Sequence, residues 1–121
     1  MASVMVVDDE DVLLEMIAAL IEDIGHQAVV ATNGKEALAA LRNADELPLL
    51  VISDVMMPQM DGIALARAIK TDPRSCDVPI VLMSAASRPP ENGVADHFIH
   101  KPFDLERIEL LIEQYAERLN Q

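Results

Sequence analysis

The stretch VISDVMMPQMDG, Val51–Gly62, joins an apolar run to a turn and places one carboxylate, Asp54, at the junction. The apolar run includes LLVIS and is typical of a strand buried inside a sheet. A buried carboxylate is costly unless a cation or hydrogen-bond donors compensate its charge. The rest of the sequence should therefore supply the groups that compensate Asp54.

Short apolar runs alternate with amphipathic segments along the whole chain. Strands are predicted at Ser3–Val7, Gln27–Ala31, Pro48–Ser53, Val78–Ser84 and His97–His100. Helices are predicted at Val12–Ile24, Asn33–Ala44, Gly62–Lys70 and Asp104–Leu119. Strands that alternate with helices predict an α/β fold, a doubly wound five-stranded parallel sheet with helices on both faces.

Local signals mark several helix ends. Gly25 is a plausible stop for the first helix. Asn33 followed by Glu36 predicts an N-cap with a variant of the capping box. Asp61 can cap the third helix, which should end before Pro73.

The segment AASRPPENGVAD, residues 85–96, breaks the alternation. It is long enough to connect two parallel strands. Pro89 and Pro90 disfavour helix at their own positions and at the residue before each. We expect a loop here, or a turn or two of helix after Pro90.

Composition limits the kinds of partner. From its 121 residues we expect one domain, residues 1–121, with no output domain in this chain. A net charge of −12 disfavours direct contact with nucleic acid or with anionic membranes. One cysteine excludes an intramolecular disulfide and fits a reducing cytoplasm, and no apolar run reaches membrane-spanning length.

Acidic side chains follow two of the predicted strands. Asp8, Asp9 and Glu10 come after the first strand, and Asp54 ends the third. In a doubly wound sheet, ligands bind beyond the carboxyl ends of the strands, so these acids should lie close together. Carboxylates that converge repel one another, and such a cluster calls for a cation such as Mg²⁺. For Asp9 and Glu10, capping of the first helix remains an alternative.

A hydroxyl and a lysine follow two other strands. Ser84 ends the fourth strand, and Lys101 follows the fifth. A site with Mg²⁺, a lysine and a hydroxyl is equipped to hold a phosphoryl group. A carboxylate can itself accept that group and form an aspartyl phosphate.

Four segments together carry a family resemblance: VMVVDDE (4–10), LLVISDVMMPQMDG (49–62), PIVLMSA (79–85) and FIHKPF (98–103). They resemble the defining segments of the response-regulator receiver domain of the chemotaxis-regulator type, the phospho-acceptor of bacterial two-component signalling. The resemblance covers nearly the whole chain, except between Ser84 and Lys101. It implies a flavodoxin-like strand order, 2-1-3-4-5.

The resemblance implies a role for each acidic position. Asp54 resembles the phosphorylated aspartate. Asp8 and Asp9 resemble the pair that binds Mg²⁺ together with Asp54. Met56 is expected to add its backbone carbonyl to the metal.

The resemblance also implies a switch. Ser84 resembles the hydroxyl that reorients toward the phosphoryl group, and Phe98 the aromatic that turns inward on activation. Lys101 resembles the lysine that pairs with the phosphate. The Lys101–Pro102 peptide bond is expected to be cis.

The implied function is a phospho-acceptor that receives its phosphoryl group from a histidine kinase or histidine phosphotransfer protein. It would catalyse only its own phosphorylation and dephosphorylation and signal to an unknown downstream protein, as a monomer or weak homodimer. The family has a fourth helix between the positions of Ser84 and Phe98, where this chain has a short segment with two prolines. We expect a remodelled output surface there, and a tolerated deletion is the alternative.

Three other functions are compatible with the architecture. A phosphatase of the haloacid-dehalogenase type needs a second aspartate at the position of Met56. A flavodoxin-like electron carrier needs a phosphate-binding loop where Asp8 and Asp9 would repel FMN. A phosphorylation-independent pseudo-receiver is typically without one or more of the acidic or lysine positions, all of which are present here.

Two further groups are interpreted as structural. His97 and His100 are expected to face solvent on an edge strand, rather than to sense pH or bind metal. Met56, Met57 and Met60 are expected to pack within the loop after Asp54.

Overall fold

The computed structural model describes residues 2–85 and 94–119, which form five strands and four helices. The strands are β1 (Ser3–Val7), β2 (Gln27–Ala31), β3 (Leu50–Asp54), β4 (Ile80–Ser84) and β5 (His97–His100). The helices are α1 (Asp11–Asp23), α2 (Gly34–Asn43), α3 (Gly62–Thr71) and α4 (Leu105–Leu119). Within these two ranges, no helix has the length and apolar character needed to cross a membrane.

All strand pairs are parallel, and the sheet has the order β2-β1-β3-β4-β5. This arrangement confirms the predicted doubly wound α/β fold and its strand order. It brings the carboxyl ends of the strands to one edge of the sheet. The expectation of a short or absent helix in segment 85–96 rests mainly on residues 86–93, which lie outside the described residues.

The sheet separates two apolar clusters, because successive side chains of a strand point to opposite faces. Val4 and Val6 of β1 contribute to the cluster formed with α1 and α4. Met5 and Val7 of the same strand contribute to the cluster formed with α2 and α3. Both faces of the sheet are therefore covered, which explains why its strands are continuous apolar runs.

Side chains cap two helices as the sequence predicts. Asn33 Oδ1 accepts a hydrogen bond from the Glu36 amide at 2.9 Å, and Asp61 Oδ1 accepts one from the Ala64 amide at 2.8 Å. The Glu36 carboxylate differs from a standard capping box, because it accepts from the amide of Thr32, one residue before the cap, at 2.9 Å. The interaction still ties the chain before α2 to its first turn.

Two strands begin later than predicted. The predicted strands from Pro48 and from Val78 begin instead at Leu50 and Ile80. Pro48 and Pro79 have no N–H and cannot donate to the ladder, although the Pro79 carbonyl accepts a bond from the Val51 amide at 3.0 Å.

Asp96 holds the beginning of the edge strand β5. Its carboxylate accepts hydrogen bonds from the Ile80 amide at 2.8 Å and from Lys70 Nζ at 3.0 Å. Its own amide donates to the Ile80 carbonyl at 2.8 Å. These bonds join α3, β4 and β5 and fix the register that carries Lys101 to the far end of the sheet.

Candidate functional site

Three carboxylates converge at the carboxyl edge of the sheet. Asp8 directly follows β1, and Asp54 is the last residue of the neighbouring strand β3. Oxygens of Asp8, Asp9 and Asp54 all lie within 4.8 Å of one another. Asp8 is fully buried and Asp54 is only 6% exposed, whereas Asp9 is exposed. The structure therefore brings together the three acidic residues that the sequence singled out.

Backbone hydrogen bonds fix the position of Asp8. Its amide donates to the Ala31 carbonyl at 3.1 Å and so extends the pairing of β1 with β2 by one residue. Its Oδ1 accepts a hydrogen bond from the Glu10 amide at 2.8 Å. One oxygen of the carboxylate is thus held by the turn into α1, and Oδ2 lies toward Lys101.

A sharp return of the chain fixes Asp54. The Val55 amide donates to the Met83 carbonyl at 2.9 Å, which continues the β3–β4 pairing past Asp54. The Gly62 amide then donates to the Val55 carbonyl at 2.8 Å, so the loop closes on the end of β3. A Cβ at position 62 would meet the Asp54 carbonyl oxygen and lie 2.9 Å from Val55 Cα. Only glycine permits this close approach.

Lys101 lies among the acidic side chains. Its Nζ is 3.2 Å from Asp54 Oδ1, 3.4 Å from Asp8 Oδ2 and 3.7 Å from Glu10 Oε1. The Lys101 amide donates to the Ser84 carbonyl at 2.8 Å, which extends the β4–β5 ladder. The Lys101–Pro102 peptide bond is cis.

Burial dominates the electrostatics of the site. Desolvation raises the pKa of Asp8 and of Asp54, although the nearby charge of Lys101 opposes the increase. For Asp54, the charge of Asp8 raises the pKa further. Burial lowers the pKa of Lys101, but the charges of Asp8 and Asp54 outweigh it and leave that pKa raised. The lysine therefore compensates the two buried acids only in part.

The donor set fits a hard divalent cation. Three carboxylates can each offer an oxygen to one point, and such oxygens are what Mg²⁺ prefers in proteins. Two of the three are buried, where uncompensated negative charge is most unfavourable. Asp8, Asp9 and Asp54 are thus suited to hold Mg²⁺ between them.

Ser84 and Phe98 lie on the strands beside this cluster. Ser84 is buried at the end of β4, between the strands that carry Asp54 and Lys101. Phe98 pairs with Leu82 in the β4–β5 register, is half-buried, and packs against the apolar cluster on the α2–α3 face. The structure thus places both residues on β4 and β5, the strands nearest Lys101, and their switch roles stay predictions.

The methionines after Asp54 behave differently from one another. Met57 and Met60 are partly buried against the α2–α3 cluster, as predicted. The prediction that Met56 packs in the loop is wrong, because its side chain is 73% exposed. The core takes up its neighbours Val55 and Met57 instead.

The two histidines of β5 also differ. His100 is exposed, as predicted. His97 is half-buried rather than solvent-facing, because its ring packs edge-on against Tyr115, with ring centroids 5.8 Å apart. Tyr115 is itself buried in the α1–α4 cluster.

Glu10 is a site residue that the sequence left undecided between helix capping and function. It occupies the N-cap position of α1, yet its side chain makes no capping hydrogen bond. Its carboxylate lies instead near Lys101. A contact between the ends of β1 and β5 depends on the tertiary fold, so no local pattern could have revealed it.

A family model and the curated relatives of this chain indicate the same protein family. The family model described as the response regulator receiver domain matches residues 4–113. Response regulator Rre1 of Synechocystis sp. is 34% identical over 122 residues, which covers 96% of this chain and 52% of that protein. The chain spans about half the length of most of the curated relatives it matches.

Solved structures agree with this family. The signal receiver domain of a histidine kinase from Syntrophus aciditrophicus has a TM-score of 0.89 and 31% identity, covering 100% of this chain and 94% of that chain. Response regulator protein TrrA of Thermotoga maritima, solved in complex with Mg²⁺ and BeF, has a TM-score of 0.83 and 27% identity. That likeness covers 95% of this chain and 99% of the TrrA chain.

Proposed function

The chain belongs to the response regulator receiver domain family, and from its site we propose that Asp54 accepts a phosphoryl group from a phosphohistidine. Receiver domains are signalling modules of two-component systems rather than conventional enzymes. The finer assignments rest on the geometry of this chain. The observation that carries them is the approach of Lys101 Nζ to 3.2 Å from Asp54 Oδ1, beside two further carboxylates.

Asp8, Asp9 and Asp54 would hold Mg²⁺, with the Met56 backbone carbonyl as a further ligand. When bound, the ion would offset the negative charge of the carboxylates and of the phosphoryl oxygens. Lys101 would supply one positive charge and orient a phosphoryl oxygen. Ser84, at the end of the intervening strand, offers a hydroxyl to another oxygen.

In the transfer step, an Asp54 carboxylate oxygen forms a bond to phosphorus while the phosphorus–nitrogen bond of the donor breaks. The donor ring is protonated on its other nitrogen before transfer, so the electron pair of the broken bond stays on the ring and neutral imidazole leaves. Asp54 needs its charged form to attack. The ammonium of Lys101 favours that form against the effect of burial.

The phosphoryl group would act as a switch through its neighbours. It pulls the Ser84 hydroxyl toward itself, and the space this leaves allows Phe98 to turn inward. The result is a changed protein-interaction surface near β5. The donor would be a histidine kinase or a histidine phosphotransfer protein in the cytoplasm, and the recipient of the signal a downstream protein.

A phosphorylation-independent pseudo-receiver is the alternative function. It needs no buried acidic cluster, and its binding surface would act without Asp54. The phospho-acceptor is favoured because the acidic and lysine positions are all present and their side chains lie close together. They are Asp8, Asp9, Asp54 and Lys101. A stable interaction module would gain nothing from burying these charges.

Intact-mass measurement after incubation with acetyl phosphate tests the proposal. We expect a gain of about 80 Da, one phosphoryl group, that requires Mg²⁺ and is absent from Asp54→Asn. Asp45→Asn, which alters an exposed loop carboxylate, is the matched control and should be phosphorylated normally. A wild type that binds Mg²⁺ but shows neither the adduct nor beryllofluoride binding would contradict the phospho-acceptor function and favour the pseudo-receiver.

A further inference from the structure

Lys101 has a third carboxylate neighbour besides the two buried aspartates. Glu10 Oε1 lies 3.7 Å from Lys101 Nζ, and the Glu10 side chain is 66% exposed. Asp8 and Asp54 face the same ammonium from the buried side. Glu10 thus lies at the rim of the site, between Lys101 and the solvent from which a phosphoryl donor approaches.

Neither helix capping nor metal binding accounts for the position of this carboxylate. Glu10 is the N-cap residue of α1, but the first-turn amides receive no hydrogen bond from its side chain. Asp11 already places a negative charge in that first turn. Among the described residues, the acids that can converge on one ion are Asp8, Asp9 and Asp54, without Glu10.

We propose that Glu10 is a positioning residue that pairs with Lys101 at the rim of the site. By doing so it lowers the affinity of the site for anionic phosphoryl groups. This inference rests on the proposed function. A phosphoryl oxygen that pairs with Lys101 must take the ammonium away from Glu10. The same oxygen must also approach the negative charge of Glu10, which Mg²⁺ held by the three aspartates leaves uncompensated.

The size of the effect follows from simple electrostatics. A unit charge about 6 Å from a monoanionic probe, in a dielectric like that of water, changes the affinity by about threefold. Competition for an exposed ion pair adds a similar or smaller factor. Because Glu10 is exposed, salt should screen most of this effect.

The test is a titration with beryllofluoride, a phosphoryl analogue, at saturating Mg²⁺, followed by fluorine NMR or calorimetry. Wild type is compared with Glu10→Gln and with Glu15→Gln, an exposed position further along α1 that changes the net charge equally. We expect Glu10→Gln to bind the probe about threefold or more tightly, and Glu15→Gln to bind as wild type does. The gain should diminish at about 1 M salt, where the Debye length is about 3 Å.

Thermal unfolding of the same variants separates this role from a structural one. A residue that only supports α1 would, when replaced, lower stability and leave probe affinity unchanged or lower. Equal affinities for Glu10→Gln and Glu15→Gln, or a gain that salt does not reduce, would overturn the inference and leave the proposed function standing. A wild-type protein that binds no beryllofluoride with Mg²⁺ would contradict the proposed function itself, and the role of Glu10 with it.

Discussion

The Lys101 ammonium reaches Asp54 Oδ1, 3.2 Å away, across the end of the strand that separates them. Lys101 follows the edge strand β5, Asp54 ends β3, and β4 lies between these two strands. The same ammonium also contacts Asp8, beyond β3, at the end of β1. The site therefore depends on four adjacent strands in register, and it forms only when these four strands have paired.

Replacing Asp54 with asparagine should stabilise the protein in the presence of a chelator. Burial raises the pKa of Asp54 above its ordinary value of 3.8, so folding favours the protonated form. The stability that this provides is fully present below pH 3.8 and is lost as the pH rises through the folded-state pKa. Above the folded-state pKa the wild type has lost this stability, whereas the asparagine variant does not titrate.

Thermal unfolding between pH 4 and pH 7 in EDTA measures the difference between the two proteins. We expect the variant to unfold a few degrees higher at pH 7, with the gap narrowing toward pH 4. Asp45→Asn, on an exposed loop, should show no such trend. A gap that is constant with pH would contradict the account of a desolvated carboxylate.

Gly62→Ala should disrupt the fold around Asp54 severely. The added Cβ would collide with the Asp54 carbonyl and approach Val55 Cα to 2.9 Å, both of them backbone groups that cannot move independently. We expect a loss of at least about 3 kcal/mol in the free energy of unfolding, measured with urea. Gly25→Ala is the comparison, because φ there is +95° but nothing lies within 4 Å, and it should cost only about 1 kcal/mol. Similar losses at the two positions would refute the steric explanation.

Arg74, which follows α3 in the sequence, should stabilise the C-terminal end of α2. Its guanidinium donates to the Leu41 carbonyl at 2.5 Å, which otherwise accepts only a long bond of 3.4 Å from the Ala44 amide, and to the Ala44 carbonyl just past the helix end. Arg74→Ala should cost roughly 1–2 kcal/mol in urea unfolding. Arg67→Ala, exposed on α3, should change stability by less than about 0.5 kcal/mol. Equal effects would mean that the Arg74 bonds contribute nothing.

Lys101→Met should slow phosphorylation by acetyl phosphate on the order of 100-fold, the scale of losing one charged donor to a transferring group. It should also lower stability in EDTA, since Asp8 and Asp54 lose the cation between them. Quenched time courses read by intact mass measure the rate, and circular dichroism checks folding. Lys35→Met, exposed on α2, serves as the matched control. Phosphorylation at the wild-type rate without Lys101 would remove the lysine from the mechanism.

Much of the fold could be predicted because local and global signals agree. The apolar runs of β1 and β3 are continuous because helices cover both faces of the sheet, and Asn33 and Asp61 cap the helices that follow them. The strand predicted from Pro48 begins at Leu50 instead, since the ladder depends on which amides find partners.

The candidate site was predictable in its acids but not in its contacts. Asp8, Asp9 and Asp54 follow strands whose ends must meet in a parallel sheet, so their convergence follows from topology. Two contacts could not be predicted, because each joins elements that are distant in sequence. His97 packs against Tyr115, and Glu10 approaches Lys101. Side-chain direction at such contacts is set by tertiary packing, about which local periodicity carries no information.

The most direct test of the central claim is to locate the phosphoryl group on the wild-type chain. Borohydride reduces an acyl phosphate to an alcohol, so an aspartyl phosphate becomes homoserine, lighter than aspartate by about 14 Da. After treatment with acetyl phosphate and Mg²⁺, then borohydride and proteolysis, we predict homoserine at position 54 and at no other aspartate. Homoserine at position 8 or 9, or a phosphoryl adduct that borohydride does not reduce, would contradict Asp54 as the acceptor.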